Sequence, residues 1–172
     1  PRERPQEKRV QSDQQHARFS NPQSDFIAWL NLWQYVEEQR QALSQNQFRK
    51  LCDREFLSYL RIREWREVHY QLVVSCRQMK FRVTELKSCD DKYEAIHRAL
   101  LSGLLGNIAQ QDEGRKFNAA RNRKAQVFPA SGQYKKPPKW LVAAELVGRP
   151  DEKGGGNPAA KQHRNTPSQY AN

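Results

Sequence analysis

The spacing of the large apolar residues changes along this chain, and the change decides its fold class. From Phe26 to Ile108 they recur every three or four positions, the period of an amphipathic helix. From Arg123 onward they come in short runs split by glycine and proline, the punctuation of strands and turns. An α+β chain with its helices first is expected.

The helical part divides at its caps. Ser24 and Asp25 precede Phe26, Ile27, Trp29, Leu30, Trp33, Val36 and Leu43, which predicts a helix over about 24–43 with Ser24 at the N-cap. Ser44 with Gln47 three residues on predicts a capping box and a second helix that buries Phe48, Leu51, Cys52 and Phe56. Ile62, Trp65, His69, Leu72, Cys76 and Met79 fall on one face of a third helix, expected to pack along that face. Tyr93, Ile96, His97, Leu100, Leu101, Leu104, Leu105 and Ile108 make a stripe wide enough for burial on more than one side, closed by Gly106-Asn107 at positive φ. The runs Ala125–Phe128 and Trp140–Val147, separated by the Pro129–Gly132 and Pro137-Pro138 turns, read as strands.

A chain of 172 residues with 37% hydrophobic residues and a mean hydropathy of -1.02 does not pack throughout. The unpacked parts are the mixed-charge start and the Gly/Pro/Asn/Gln stretch past Val147. The expected organisation is a polar linker or exposed helix over 1–21, a helical segment over 22–88, a β-containing domain over 89–147 and a disordered tail over 148–172. No run of about 18 apolar residues offers a membrane span, so no membrane partner is expected. Cys52, Cys76 and Cys89 are too few for a disulfide framework and form no C-x-x-C pair, which fits a reducing, cytoplasmic setting without a metal.

Charge narrows the partner. The net charge is +11, and between Gly114 and Ala144 stand eight cations and no acid, interleaved with Phe117, Phe128, Tyr134 and Trp140. Cations neutralise phosphates and aromatic faces stack on bases, so nucleic acid, RNA or DNA, is the first partner to test, although a basic balance alone could equally serve an acidic protein or an anionic lipid surface. The candidate nucleic-acid-binding residues are Arg121, Arg123 and Lys124 before one strand, Lys135, Lys136 and Lys139 around the proline pair, the aromatics Phe128 and Tyr134, and Arg61 and Arg63 on the third helix. Each has a plainer reading. The loop cations also serve as a solvated surface, Arg61 and Arg63 have Glu64 and Glu67 within reach for intrahelical pairing, and Trp140 heads an apolar strand that could bury it. Trp29, Trp33 and Trp65 lie on helical stripes and read as core, as do His69 and His97. No catalytic constellation is assembled by the sequence.

The order of motifs resembles a known family. Ser24-Asp-Phe-Ile-Ala-Trp-Leu-Asn-Leu-Trp33, Asn46-Gln-Phe-Arg-Lys-Leu-Cys52, Tyr59-Leu-Arg-Ile-Arg-Glu-Trp65, His97-Arg-Ala-Leu-Leu-Ser-Gly-Leu-Leu105, Phe128-Pro-Ala-Ser-Gly132, Lys135-Lys-Pro-Pro-Lys-Trp140 and Ala144-Glu-Leu-Val147 are similar to the region after the motor in bacterial HrpA-type DEAH-box RNA helicases. The resemblance implies a helical ratchet segment followed by the start of an oligonucleotide/oligosaccharide-binding (OB) fold, holding single-stranded RNA beside RecA-like motor domains that are normally in the same polypeptide. ATP and Mg²⁺ belong to that motor. This chain has no G-x-x-x-x-G-K-[ST] loop and no Asp-Glu-Ala-His element, so no cofactor and no ATP hydrolysis are expected of it alone. The resemblance also implies strands beyond Val147 that the tail does not supply, hence a partial OB domain and a fragment or truncated relative. The alternatives are a protein-interaction module that docks on a separate motor or an acidic partner, and a remnant with no function.

Overall fold

A computed structural model describes residues 1–84 and 92–147, together with the backbone of Ala159–Lys161. The chain divides into two compact units, Pro1–Ser20 with Trp29–Cys89, and Asn21–Ala28 with Asp90–Asn172. The division puts the first twenty residues with the helices, and 21–28 with the sheet.

The first unit is helical: α1 (Arg9–Ala17), most of α2 (Asp25–Ala42), α3 (Gln45–Arg54) and α4 (Tyr59–Gln78). Phe19, Leu32, Val36, Phe48, Leu51, Cys52, Leu57 and Ile62 form its buried core, with Trp29, Tyr35, Leu43, Tyr59 and Trp65 packed against it. The capping box forms as expected: the Gln47 N–H donates to Ser44 Oγ at 3.4 Å and the Ser44 N–H to Gln47 Oε1 at 3.0 Å. α3 stops at Arg54, and Phe56, expected to continue it, instead takes φ 55. There it lets the Leu57 N–H reach back to the Cys52 carbonyl at 2.8 Å, the bond that closes a helix when the residue past its end turns left-handed.

The N-terminal stretch is not a free linker. Ser58 N–H donates to the Pro1 carbonyl and Glu3 N–H to the Phe56 carbonyl, so the backbone pairs with the segment after α3. α1 is exposed over most of its surface but buries Ser12 and His16, and Phe19 follows it into the core. Burial of the His16 ring pushes its pKa below the ordinary value.

α4 also departs from expectation. Ile62 is buried and Trp65 half-buried, but His69, Leu72 and Met79 further along the same stripe are exposed. The helix is twenty residues long and extends past the core that its first two turns meet.

The second unit carries α5 (Tyr93–Gly103) and strands β1 (Ile108–Gln111), β2 (Lys116–Ala119), β3 (Arg123–Val127), β4 (Trp140–Val142), β5 (Glu145–Val147) and β6 (Ala159–Lys161), in the sheet order β4-β1-β2-β3-β6-β5. All pairs are antiparallel except β3 with β6. β4 and β5 stand at opposite ends of that order, yet two residues join them. Their facing ends therefore lie within about 11 Å, so the sheet must curl round on itself. Asn107 holds the junction, accepting the Ala143 N–H at 3.1 Å and donating to the Ala144 carbonyl at 3.1 Å.

Three expectations are corrected here. α5 ends at Gly103, Gly106 and Asn107 lie in a 3-10 turn without positive φ, and Ile108 starts a strand. No α5 residue is fully buried, so its stripe is covered less than predicted. The disorder expected over 148–172 is interrupted by β6, whose backbone occupies the edge that β3 would otherwise leave open. The rest of that stretch, like 85–91, lies outside the described residues.

The segment 21–28 is tied in by polar contacts. His97 Nδ1 meets the Tyr93 carbonyl at 2.6 Å, which only an N–H can satisfy, so Nε2 accepts from the Ser24 hydroxyl at 2.7 Å. Ser24 Oγ in turn accepts the Ile27 N–H at 3.3 Å, the N-cap role read from the sequence. The Phe128–Gly132 loop closes over this turn, with the Gly132 N–H donating to Asp25 Oδ1 at 2.9 Å. A Cβ at Gly132 would overlap the Asn21 carbonyl, which is backbone and cannot swing away. Gly132→Ala is expected to cost about 1–3 kcal/mol, read as a lowered midpoint in denaturant, whereas Ser131→Ala beside it loses only the hydroxyl.

Candidate nucleic-acid interface

The core of the second unit fixes which side of the sheet meets solvent. Ala109, Phe117, Ala119, Ala125, Val127 and Leu141 alternate inward and are buried. The register then sets Trp140 beside Gln110, Gln110 beside Asn118 and Asn118 beside Lys124, one row across four strands on the opposite face. All four are exposed, and Lys116 and Gln126 form the next row. Trp140 is 60% exposed because its neighbour Leu141 takes the inward position; the expectation that the strand might bury it is not met.

The candidate cations differ in how free they are. Lys135, Lys136 and Lys139 on the loop before β4, and Lys116 on β2, are exposed and form no ion pair among the described residues. Arg121 is also unpaired and sits at φ 60 in the tight turn between β2 and β3, with Asn122 at φ 56. Arg123 and Lys124 lie within β3 itself, not before it. Arg123 Nε donates to the Ala120 carbonyl at 3.3 Å. Lys124 is engaged by Asp112 at 3.0 Å, an acid just outside the acid-free run, and its ammonium holds the Asp112 carboxyl below the usual carboxylate range.

Of the aromatics, Phe117 is core. Phe128 is half-buried at the end of β3. Tyr134 packs against the core cluster, and the Arg115 guanidinium lies over its ring at 4.3 Å, also donating to the phenol oxygen at 3.3 Å. A base therefore has no open Tyr134 face to stack on. An open cleft of about 750 Å³ lies here, lined among others by Glu113, Arg115, Lys116, Gln126, Tyr134 and Lys135. Arg115, Lys116 and Trp140 stand outside the candidate set drawn from the sequence; the alternation of β2 and β4 is the signal for the last two.

In the first unit, Arg61 pairs with Glu64 at 2.8 Å, the intrahelical contact foreseen as its plainer role. Arg63 is exposed without an ion pair among the described residues. Trp29 and Trp33 pack edge-on to Trp65 at 5.8 and 4.8 Å between ring centroids, and the exposed His69 lies against Trp33. The Cys52 thiol is buried and pushed up to about 11, which makes it a poor nucleophile. No cluster of His, Cys, Asp and Glu among the described residues could hold a metal ion, and no described helix is long and apolar enough to cross a membrane.

A curled, mainly antiparallel sheet with an exposed indole and free lysines on its solvent side has the character of an oligonucleotide-binding barrel, and residues 96–149 match the family model described as oligonucleotide/oligosaccharide-binding (OB)-fold. The likeness extends through the helical unit. Over 86% of its length the chain is similar to HrpA-type ATP-dependent RNA helicases, 48% identical to the "ATP-dependent RNA helicase HrpA homolog" of Haemophilus influenzae and 45% to "ATP-dependent RNA helicase HrpA" of Escherichia coli. Over 84% it is 30% identical to "Pre-mRNA-splicing factor ATP-dependent RNA helicase prp22" of Schizosaccharomyces pombe. The chain spans 11%, 11% and 12% of the lengths of these three relatives.

Proposed function

We propose that this chain is the part of an HrpA-like helicase that holds single-stranded RNA while a RecA-like motor, which supplies ATP and Mg²⁺ chemistry, pulls the strand in the cytoplasm. The observation that carries the reading is the set of unpaired cations Lys116, Arg121, Lys135, Lys136 and Lys139 on the same barrel as the exposed Trp140. Lysines that form no ion pair lose little on meeting phosphates, and an exposed indole gains on meeting a base. Lys124 and Arg61 contribute less, because each already has an acid partner.

The test is a titration of a single-stranded oligoribonucleotide against salt. Each neutralised phosphate contributes about 0.7 to the log–log slope. Replacing Arg121, Lys135, Lys136 and Lys139 by alanine should flatten the slope by about 2 to 3 and leave the unfolding free energy within about 0.5 kcal/mol of the parent, since these side chains are exposed. An unchanged slope would sink the reading. The exposed Leu72, Met79 and Phe81 at the far end of α4 favour docking of a further protein surface onto the helical unit, for which the motor is the proposed partner.

A further inference from the structure

The cleft beside β2 has a feature that general phosphate attraction does not explain: its arginine is anchored on an aromatic ring. Arg115 is exposed, and no acid pairs with it among the described residues. Its guanidinium lies over the Tyr134 ring and donates to the phenol oxygen, two contacts that anchor it in place. The backbone beneath is equally constrained. Gly114 turns the β1–β2 hairpin at φ 54, the Lys116 N–H donates to the Glu113 carbonyl at 2.8 Å, and Gln111 Nε2 donates to the Gly114 carbonyl at 2.6 Å. An arginine that served only as a charge would gain nothing from this, since a mobile guanidinium reaches phosphates as well or better.

We infer that Arg115 is a stacking platform for one unpaired nucleobase, with its inner face on Tyr134 and its outer face open to the base, while Lys116 and Lys135 in the same cleft take the flanking phosphates. A planar guanidinium stacks on a base as an aromatic ring does, and here Tyr134 pays the ordering cost before the ligand arrives. The cleft of about 750 Å³ has room for a nucleotide. Glu113, an acid in the lining, suits the N–H edge of a base. A duplex, whose bases are already stacked on one another, offers nothing to this platform. The inference rests on the RNA-holding reading but makes a separate claim: this cleft senses bases as well as charge.

The test compares two single-stranded ligands of equal length, an oligoriboadenylate and the same ribose-phosphate chain without bases, by fluorescence anisotropy on the full chain. The probe variant is Arg115→Lys, which keeps the charge and removes the plane. The expected result is a roughly five- to tenfold loss of affinity for the oligoriboadenylate and no change for the baseless chain. Equal losses on both ligands, or no loss on either, would overturn the stacking assignment while leaving a steep salt slope, and so the RNA-holding reading, intact. If the parent chain binds neither ligand, both readings fall. Tyr134→Phe is the companion variant. It keeps the ring and removes the oxygen that orients the guanidinium, and should show a smaller loss confined to the base-bearing ligand; a loss on the baseless chain would count against the assignment.

Discussion

Replacing Phe117 by alanine is expected to unfold the sheet unit. Phe117 is 1% exposed and is the large member of a core otherwise made of Ala109, Ala119, Ala125, Ala143, Val127 and Leu141. Four alanines have no side-chain freedom with which to fill the space that a phenyl ring leaves. The cost should therefore fall in the usual range for such truncations, about 3–5 kcal/mol. Small domains have about 5–15 kcal/mol in total, so the variant should melt far below the parent or not cooperatively at all. Hydrogen exchange resolves where the loss occurs: amides of β1, β2 and β3 should lose protection, because Phe117 lies between Gln111 and Ala125 in the register. Phe117→Leu, which keeps most of the volume, should cost less than half as much. A Phe117→Ala chain with parent-like exchange in β1–β3 would show that the sheet is held by something other than this core. RNA affinity should fall with the fold, since Arg115 and Lys116 immediately precede Phe117 on the same hairpin.

How far the sequence disclosed this fold depended on how much apolar side chain each element carries. α2, α3 and α4 have a large apolar residue at every turn on one side, and the limits of α2 and α3 fall within a residue or two of those read from Ser24, Ser44 and the apolar stripes, while α4 starts at Tyr59, three residues before its stripe. β1 and β2 were not read as strands, because Ile-Ala-Gln-Gln and Lys-Phe-Asn-Ala have alanine where a sheet usually has Val or Ile. Their inward positions are identified only by the partners across the sheet. The same fact misplaced the end of α5: Leu104, Leu105 and Ile108 continue the helical spacing, but Ile108 pairs with Val142 and that pairing decides its conformation. At the candidate site the cations were legible and their pairing was not. Asp112 follows β1, twelve residues before Lys124, and reaches it across β2 only once β1, β2 and β3 lie side by side. Arg115 over Tyr134, nineteen residues apart, is a contact that no local pattern encodes.

The helical unit has its own vulnerable point in Glu55, and Glu55→Ala should destabilise it by about 2–4 kcal/mol. Glu55 is a buried acid, 7% exposed, at the end of α3. Its oxygens accept from the Tyr35 hydroxyl at 3.0 and 2.8 Å and pair with Arg18, and Arg54 stands 3.7 Å away. Arg18 itself lies over the Phe19 and Tyr35 rings, so one carboxylate fixes the exit of α1 and the middle of α2 against α3. Deleting the acid would leave a half-buried phenol without its acceptor and a guanidinium without its counter-charge, close to the situation in which a buried pair is costly to break. Arg18 is 39% exposed and recovers part of its hydration, which is why the expected loss lies below the 3–5 kcal/mol of a fully buried pair. Glu55→Gln separates the contributions, because its amide oxygen still accepts from Tyr35 while the charge is gone. It should retain roughly half of the stability that alanine loses. The readout is the denaturant midpoint at neutral pH, with the double variant Glu55→Ala/Arg18→Ala completing the cycle. If the two losses simply add, the pair is not coupled and the helices are held by their apolar core alone; if the double variant costs little more than Glu55→Ala, the carboxylate is what joins α1 to the rest of the unit.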